Sequence, residues 1–482
     1  MKLRIRNAAA FAAIVIVIGG ACGDLQAAGL QAELRSSSAL IPAGTADAVA
    51  PTAPAGAVVS GTQAWTCDAA QGFRPIVPID ATTDPVFAVG STIGFNLPIS
   101  PTTTPATCGQ MALAGDGTVY ITQAVVDTTA TPSVSRGVLR TKIDPATGAI
   151  VGPAAYIATT AGLDGNQPTA VALGPDGNLY VGFLKSGDIK KIINPGAGTT
   201  QIVQKIGNTP SGHPARALTF AGNDLYIASI DALSVIKNSA SCTGGCNATA
   251  IPDGFSGAVH TGLTSDAAGA VYFAVAGGFP NGSQVWRYVP TTQLFTFVSI
   301  GGADRTGGNA SSFSFVPAKT NMLVSDASGN LWIGDDPSNA TAKGAGRLWT
   351  ISATALATLP SGNSTGGTNL QTMFNALKGP WFLGFTTQGF TVTFFSDGTF
   401  SATIQPNAGA STTDSGTWTL TPPASVFPVG NPQGRLTFTD TQGIVLFSAD
   451  FLMLNVDMLQ AQQPWVSGLG TPISGTLIKQ TP

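Results

Sequence analysis

The central part of the chain repeats one pattern of apolar and polar positions. Each unit has an apolar strand, a tight turn, and a second strand that opens with an aromatic residue. Gly, Asn and Asp at the turn favour a hairpin, because these residues tolerate positive φ. The five units are MALAGDGTVYITQ (111–123), AVALGPDGNLYVGF (170–183), ALTFAGNDLYIAS (217–229), GLTSDAAGAVYFAV (262–275) and MLVSDASGNLWIGD (322–335).

The spacing of the aromatic anchors indicates the architecture. They stand 60, 46, 46 and 60 residues apart, at Tyr120, Tyr180, Tyr226, Tyr272 and Trp332. A second pair of strands follows most of them. A period of about 40 to 60 residues with about four strands per unit is typical of a β-propeller. We therefore predict an all-β fold with a propeller over 62–360. Six blades are expected, with five or seven as alternatives.

Two stretches outside the five units are expected to complete the ring. RLWTISATALATL (347–359) is predicted to finish the last blade. The region around Trp65 and DPVFAVGSTIGF (84–95) is predicted to supply a further blade or the strand that closes the ring. The linker SGNSTGGT (361–368) then ends this domain.

The C-terminal block, 369–482, alternates apolar and polar residues in a way that predicts antiparallel strands with one buried face. Its runs are LKGPWFLGF (377–385), FTVTFFSDGTFSATI (390–404), SGTWTLTPP (415–423), GRLTFTD (434–440) and GIVLFSADFLMLNV (443–456). The block resembles the small lipocalin-like barrels of bacterial envelope proteins. A barrel or sandwich is expected, acting as a packing or docking module rather than a ligand carrier.

The N-terminus has the layout of an export signal. Lys2, Arg4 and Arg6 precede an apolar run over 8–18, and small residues then lead to Cys22. This run is shorter than the ~20 residues of a spanning helix. The end of the segment resembles a bacterial lipobox, which predicts a signal peptide over 1–22 and lipid modification of Cys22. Ordinary cleavage near residues 27–28 is the alternative. Residues 23–61 are rich in Ala, Pro, Ser and Gly and are predicted to form a flexible tether.

Cysteine usage agrees with an exported chain. Without Cys22, four cysteines remain, an even number that suits an oxidising compartment. Cys242 and Cys246 can close a small loop, and Cys67 would then pair with Cys108. A CxxxC metal site is the alternative, but a structural zinc site needs four ligands. Disulfides are expected and metal is not.

Composition narrows the chemistry. Charged residues are 10% of the chain and the net charge is −3, so the chain offers no basic field for a nucleic acid. Glu33 is the single glutamate, which excludes a glutamate-based glycosidase pair and an HExxH metalloprotease. His213 and His260 are the two histidines. We expect no cofactor.

The repeat units resemble a known group of propellers. GPDGNLYVGFLKSGDIKKI (174–192) and SDASGNLWIGDD (325–336) are similar to blades of NHL-repeat and streptogramin-lyase-like propellers. The resemblance covers roughly 107–359 and implies the fold. Enzymes of that group use His and Glu around the channel mouth, and lactonase-type propellers hold a metal with Glu, Asn and Asp. The predicted propeller contains no Glu.

A few residues remain as candidates for a site. His213 and His260 stand 13 and 12 residues before their anchors, so both are expected at one rim of the channel, where they could bind a ligand or transfer a proton. Asp335 and Asp336 are the nearest carboxylates, with strand-edge capping as the preferred interpretation. The aspartates in Asp-Gly or Asp-x-Gly turns are interpreted as turn formers, not calcium ligands: Asp116, Asp176, Asp326 and Asp397.

Three kinds of function remain open. The first is an exported outer-membrane lipoprotein, or a periplasmic or extracellular protein, that binds a small molecule, a glycan or an envelope protein at the propeller mouth. The second is a lyase or hydrolase that uses His213, His260 and Asp335 on a small organic or sugar substrate. The third is a self-assembling surface component. The membrane would be reached through the lipid on Cys22.

Overall fold

The structure of the protein is a computed structural model. It describes residues from 32 to 479, with gaps. The longest gaps are 37–47, 91–106, 304–321, 360–376 and 422–432. The predicted signal peptide with Cys22 and the predicted linker 361–368 lie outside the described residues. Within the described part of the chain, no helix is long and apolar enough to cross a membrane.

Six small sheets form a ring, as the repeat pattern predicts. The innermost strands of neighbouring sheets contact one another in cyclic order, so the last sheet returns to the first. The chain therefore contains a six-bladed β-propeller. The strands of blades one to three are β2 (Ala48–Val49), β3 (Pro54–Ser60), β4 (Gln63–Asp68), β5 (Gly72–Pro78), β6 (Phe87–Gly90), β7 (Thr107–Leu113), β8 (Thr118–Asp127), β9 (Val134–Lys142), β10 (Ala155–Tyr156), β11 (Pro168–Leu173), β12 (Leu179–Phe183), β13 (Asp188–Ile193) and β14 (Ile202–Asn208).

The remaining blades repeat this plan. Their strands are β15 (Ala215–Ala221), β16 (Asp224–Ser229), β17 (Leu233–Ile236), β18 (Thr249–Ala250), β19 (His260–Ser265), β20 (Val271–Ala276), β21 (Ser283–Val289), β22 (Leu294–Ser299), β23 (Gly302–Ala303), β24 (Met322–Ser325), β25 (Leu331–Asp335) and β26 (Arg347–Ile351). A 3₁₀ helix covers Ser239–Ser241 and the short helix α1 covers Ala353–Ala357. The innermost strands of blades one to six are β3, β7, β11, β15, β19 and β24.

The ring is closed by the N-terminal part of the chain. Strand β1 (Ala32–Ser36) pairs antiparallel with β26 and completes blade six. The predicted tether over 23–61 is therefore wrong for its described residues, and the propeller begins before residue 62. An unpaired edge on β26 would leave its N–H and C=O groups without partners, which β1 supplies. The 347–359 stretch contributes only β26 to the sheet, because α1 leaves it.

Burial of the second strands explains the aromatic anchors. All five residues of β12 are buried, because a middle strand packs against neighbouring blades on both faces. Tyr180 lies there at 0% exposure, and the other four anchors are also buried. Close packing needs small residues as well: a Cβ atom on Gly182 would lie 2.5 Å from the Cβ of Ala215 in the next blade.

The C-terminal block forms a closed antiparallel barrel of eight strands. These are β27 (Gly379–Phe385), β28 (Gln388–Phe394), β29 (Thr399–Pro406), β30 (Thr412–Thr421), β31 (Gln433–Asp440), β32 (Val445–Asn455), β33 (Met458–Ser467) and β34 (Pro472–Lys479). Eight strands enclose an interior that side chains can fill. Phe438 lies among Phe390, Phe394, Phe400 and Phe447, with ring centroids 5.4 to 6.1 Å away.

Candidate functional site

A single glutamine crosses the centre of the propeller. The amide oxygen of Gln110 accepts hydrogen bonds from the backbone N–H groups of Val171 (3.1 Å) and Leu218 (2.8 Å). Its Nε2 donates to the carbonyl oxygens of Leu218 (2.6 Å) and Leu263 (3.5 Å). Innermost strands have one edge without a neighbouring strand, and an amide can satisfy both the donors and the acceptors of such edges. Gln110 thus connects blades two to five.

A cavity of about 250 Å³ lies between Gln110 and the turns that end the innermost strands. Its lining comes from the turn-side half of β7, β11, β15 and β19, together with 55–57 of β3 and 322–324 of β24, and includes Met111, Val171, Leu218, Phe220, Leu263 and Met322. Among the residues that the structure describes, none that lines the cavity has an ionisable side chain.

The hydroxyl groups of the cavity are already engaged. Thr219 Oγ1 lies 3.2 Å from Ser265 Oγ, and Ser265 Oγ donates to the carbonyl oxygen of Phe220 at 2.6 Å. The backbone N–H of Ser325 donates to Thr264 Oγ1 at 3.2 Å. A space with uncharged walls and satisfied polar groups suits a small uncharged molecule.

The two histidines belong to the opposite end of the channel. His213 lies in the loop before β15 and is exposed, and its carbonyl oxygen accepts a hydrogen bond from Thr209 Oγ1 at 2.7 Å. His260 is the first residue of β19 and is fully buried, with its ring centroid 5.6 Å from that of Phe273. Because one ring is in solvent and the other is buried, the pair does not form one shared surface. Their role in binding or catalysis stays a prediction.

Asp335 is engaged in structural contacts at the end of β25. Its side chain is fully buried and accepts hydrogen bonds from Arg347 Nε (2.9 Å) and Trp349 Nε1 (3.0 Å). A second nitrogen of Arg347 bonds the other carboxylate oxygen. The preferred interpretation of this residue was strand-edge capping, and the structure places it instead in a buried ion pair with Arg347. Asp336 lies outside the described residues.

Arg216 is a cation near the histidine end that the sequence pattern did not single out. It occupies an irregularity in β15, where the register with β16 shifts between Ala215 and Ala217. Its Nε atom is buried and has no hydrogen-bond partner in the described part of the chain. A buried donor of this kind is unfavourable unless something accepts from it.

The aspartates of the turns are turn formers, as predicted. Asp116 Oδ1 accepts the backbone N–H of Thr118 at 3.0 Å, which is the main reason that the pKa of this carboxyl lies below its ordinary value. In three other blades the turn aspartate also binds the aromatic anchor: Asp176 accepts from Tyr180 Oη (3.1 Å), Asp266 from Tyr272 Oη (3.1 Å) and Asp326 from Trp332 Nε1 (3.0 Å).

Among the described residues, no group of three or more His, Cys, Asp or Glu side chains is arranged to hold a metal ion. In the barrel, Asp397 forms the same kind of turn as the propeller aspartates, because its Oδ1 accepts the backbone N–H of Thr399.

The short cysteine loop is closed by a disulfide. Cys242 and Cys246 are bonded, with their Cα atoms 6.1 Å apart, as the disulfide prediction for this pair expects. Cys67 is a bonded, fully buried cysteine on β4. The side chain of Cys108, its predicted partner, lies outside the described residues.

Gln110 was missed by reasoning from the sequence. Its only signal is a polar residue inside an apolar innermost strand, TCGQMAL. Such a residue can equally face solvent or a neighbouring blade. The ring closure that brings Leu218 opposite to it is a relationship between residues 108 positions apart.

Comparison with known proteins supports no family assignment. No family model matches the sequence, and no curated protein matches it. Similar solved structures include a protein of unknown function from Bacteroides thetaiotaomicron, with 15% identity, 67% of this chain and 75% of that chain covered, and a TM-score of 0.43.

Two enzymes are also among the similar structures. Virginiamycin B lyase from Staphylococcus aureus shares 17% identity, with 62% of this chain and 95% of that chain covered and a TM-score of 0.37. A gluconolactonase from Xanthomonas campestris shares 12% identity, with 69% and 98% covered and a TM-score of 0.40. At these sequence identities and TM-scores, the similarity supports no conclusion about the activity of this chain. The propeller is defined by its own six sheets.

Proposed function

We propose that this chain is an exported binding protein, tethered to the bacterial outer membrane through a lipid on Cys22, whose propeller binds a small uncharged molecule. The observation that carries the proposal is the cavity below Gln110, which has no ionisable side chain in its lining. The residues that a catalytic site would need are elsewhere. Asp335 is held by Arg347 and Trp349, and His260 is buried in packing.

The size of the cavity limits the ligand. Drug-sized pockets enclose ~300–1,000 Å³, and this cavity has about 250 Å³. A short alcohol, a ketone or a single aromatic ring fits these dimensions, whereas an oligosaccharide does not. The proposed ligand is therefore a small uncharged molecule.

The barrel is proposed to be a lipocalin-like docking domain that stabilises the propeller. Its interior is filled by aromatic rings rather than open to a ligand. On its outer side, Leu452 of β32 is 4% exposed and belongs to the same buried cluster as Tyr288 and Phe295 of blade five. An apolar side chain that leaves the barrel wall to join a blade is expected of a docking contact.

Thermal-shift measurements test the binding proposal on the mature chain from Cys22 onward. Short alcohols, small ketones and indole are the probes. A ligand at 100 times its Kd adds about 2.7 kcal/mol of stability, which a melting curve detects. Ala112→Leu and Ala172→Leu narrow the cavity and should abolish the shift, while Ala268→Leu places the same side chain in an exposed turn and should not. If no uncharged probe shifts the melting temperature, the proposal is wrong.

A second candidate function has one observation in its favour. The buried, unpartnered Nε of Arg216 is suited to an anionic ligand at the histidine end of the channel, which is where a lyase or hydrolase would use His213 and His260. Small carboxylates belong in the same screen for this reason. The control is Arg287→Gln, because the Nε of Arg287 is also buried without a hydrogen-bond partner in the described part of the chain. A carboxylate that raises the melting temperature of the wild type and of Arg287→Gln, but not that of Arg216→Gln, would support this second candidate over the first.

A further inference from the structure

The strand that closes the ring fixes where the N-terminal segment leaves the propeller. Strand β1 pairs with β26 through Glu33 opposite Thr350 and Leu34 opposite Trp349. Arg35 Nε also donates to Thr350 Oγ1 at 2.7 Å. Residue 32 is therefore attached to blade six by a hydrogen-bonded sheet, not by a loose segment.

The direction of β1 follows from that of β26. After β26 the backbone N–H of Ala353 donates to Asn330 Oδ1 at 3.0 Å, and Asn330 belongs to the turn between the first two strands of the blade. Strand β26 thus runs towards the turn end of the propeller. Because β1 is antiparallel to it, β1 begins at that same end.

Few residues separate this point from the predicted lipid. Nine residues, 23–31, lie between Cys22 and Ala32. Fully extended, they span at most about 30 Å, and as a flexible chain about 17 Å on average. The opposite end of blade six lies a further ~17 Å away, at ~3.3 Å for each of the five residues of β26.

We infer that the turn end of the propeller, together with the mouth of its central cavity, faces the lipid surface that holds Cys22. The inference rests on the proposed lipid anchor. The occupant of this face is the bilayer itself, and an uncharged ligand would enter the cavity from the membrane side. The histidine end then points away from the membrane.

The chemistry of the turn end is compatible with a lipid surface. Residues 352–357, which follow β26 at this end, contain no charged residue. The exposed turn residues of blade six are Ala327 and Ser328. On the outer side of the same blade, Glu33 of β1 is 54% exposed and pairs with Arg35.

Some carboxylates do lie at the turn end, and three of them are neutralised by lysines. These pairs are Asp116 with Lys142, Asp176 with Lys191 and Asp224 with Lys237, at 2.7 to 3.2 Å. Asp326 is held by its own turn and by Trp332. Asp144 and Asp266 are further carboxylates at this end, and each accepts a backbone N–H of its own turn.

Photo-crosslinking to lipid tests the orientation. The mature chain is coupled through the Cys22 thiol to maleimide-headgroup lipid in phosphatidylcholine vesicles, so the test does not depend on lipidation in the cell. A benzophenone amino acid is placed at Ser328 in blade six, at Pro175 in the turn of blade three, or at Leu184 at the opposite end of blade three. Crosslinking to lipid is expected at Ser328 and Pro175 and is expected to be lost at Leu184.

The same experiment separates the ways in which the inference can be wrong. Equal crosslinking at Pro175 and Leu184 would overturn it. Crosslinking at Ser328 alone would indicate an edge-on propeller and would also overturn it. An insertion of about twenty Gly and Ser residues after Asp24 should remove the difference between the two ends. The proposed anchor is tested separately by membrane flotation of the protein made in cells. The wild type should float with membranes, and Cys22→Ser should not.

Discussion

Gln110 and Leu218 form a reciprocal pair of hydrogen bonds across the centre of the propeller. The side-chain amide of Gln110 donates at 2.6 Å to the carbonyl oxygen of Leu218 and accepts at 2.8 Å from its N–H. The arrangement copies one step of a β-ladder between blades two and four, which are not neighbours in the ring. It closes the channel on one side of the cavity.

Loss of this amide is expected to destabilise the propeller. Gln110→Leu keeps the approximate size of the side chain but leaves the N–H groups of Val171 and Leu218 without their acceptor. Each unsatisfied buried group costs about 1–3 kcal/mol, so the two groups together should lower the free energy of unfolding in urea by roughly 2–6 kcal/mol. Gln405→Leu, at an exposed barrel position, is the control. Equal midpoints for the two variants would show that the bridge contributes nothing.

Asp335 is expected to affect stability rather than chemistry. In Asp335→Asn, Arg347 keeps its charge in a buried site without its carboxylate partner. Breaking a buried pair in this way costs about 3–5 kcal/mol. Asp116→Asn breaks the exposed pair with Lys142 and should cost about 0–1 kcal/mol. Both values come from denaturant unfolding, and similar costs for the two variants would contradict a structural role for Asp335.

Acid should weaken the fold in part through Asp176. Burial by itself would raise the pKa of this carboxyl, but hydrogen bonds from Lys191 and Asn178 outweigh burial and lower it below its ordinary value. A carboxyl whose pKa is lower in the folded state stabilises the fold above its unfolded pKa, near 4. That stabilisation disappears as the pH falls through the folded value.

Melting curves between about pH 2 and pH 7 test this linkage. Asp176→Asn should lower the melting temperature at neutral pH and have little effect at the acid end of the range. The melting temperature of the variant would then fall less steeply than that of the wild type as the pH is lowered. A variant curve parallel to that of the wild type over the whole range would rule out the linkage.

The barrel is expected to bind an apolar probe only after a ring is removed. Phe438 is fully buried among four other phenylalanine rings, so Phe438→Ala opens a cavity and should cost about 3–5 kcal/mol. Calorimetry with benzene should detect one more binding site in Phe438→Ala than in the wild type. Ser401→Ala, on the exposed outer face of β29, is the control. Binding of benzene that is the same in Phe438→Ala and in the wild type would mean that the barrel is not the site.

Much of the fold could be predicted because it is encoded locally. The turn residues and the aromatic anchors specify hairpins, and a hairpin repeated at 46 to 60 residues cannot bury both of its faces without neighbouring copies. The six blades and the C-terminal barrel strands follow from this reasoning. Asp176 and Asp326 were recognised as turn residues for the same reason, since their partners lie within six positions.

The remaining features depend on contacts between distant residues. Strand β1 was interpreted as a tether because its own composition is weakly patterned, and only the open edge of β26, more than 300 positions away, makes it a strand. Asp335 could be placed at a strand end but not assigned to Arg347 and Trp349. Nothing in the sequence marked Arg216 as a candidate site residue. The register shift in β15 and the burial of its Nε are visible only in the structure.

Reading the residues alone was enough to predict the hairpin repeat, the barrel strands and the scarcity of acid–base residues, because these depend on neighbouring positions and on composition. Folding of the whole chain was needed to show which strand closes the ring, that Gln110 spans the channel, and that the described walls of the cavity beneath it are uncharged. These features require chain segments 100 to 300 residues apart to meet, and only packing of the whole ring brings them together.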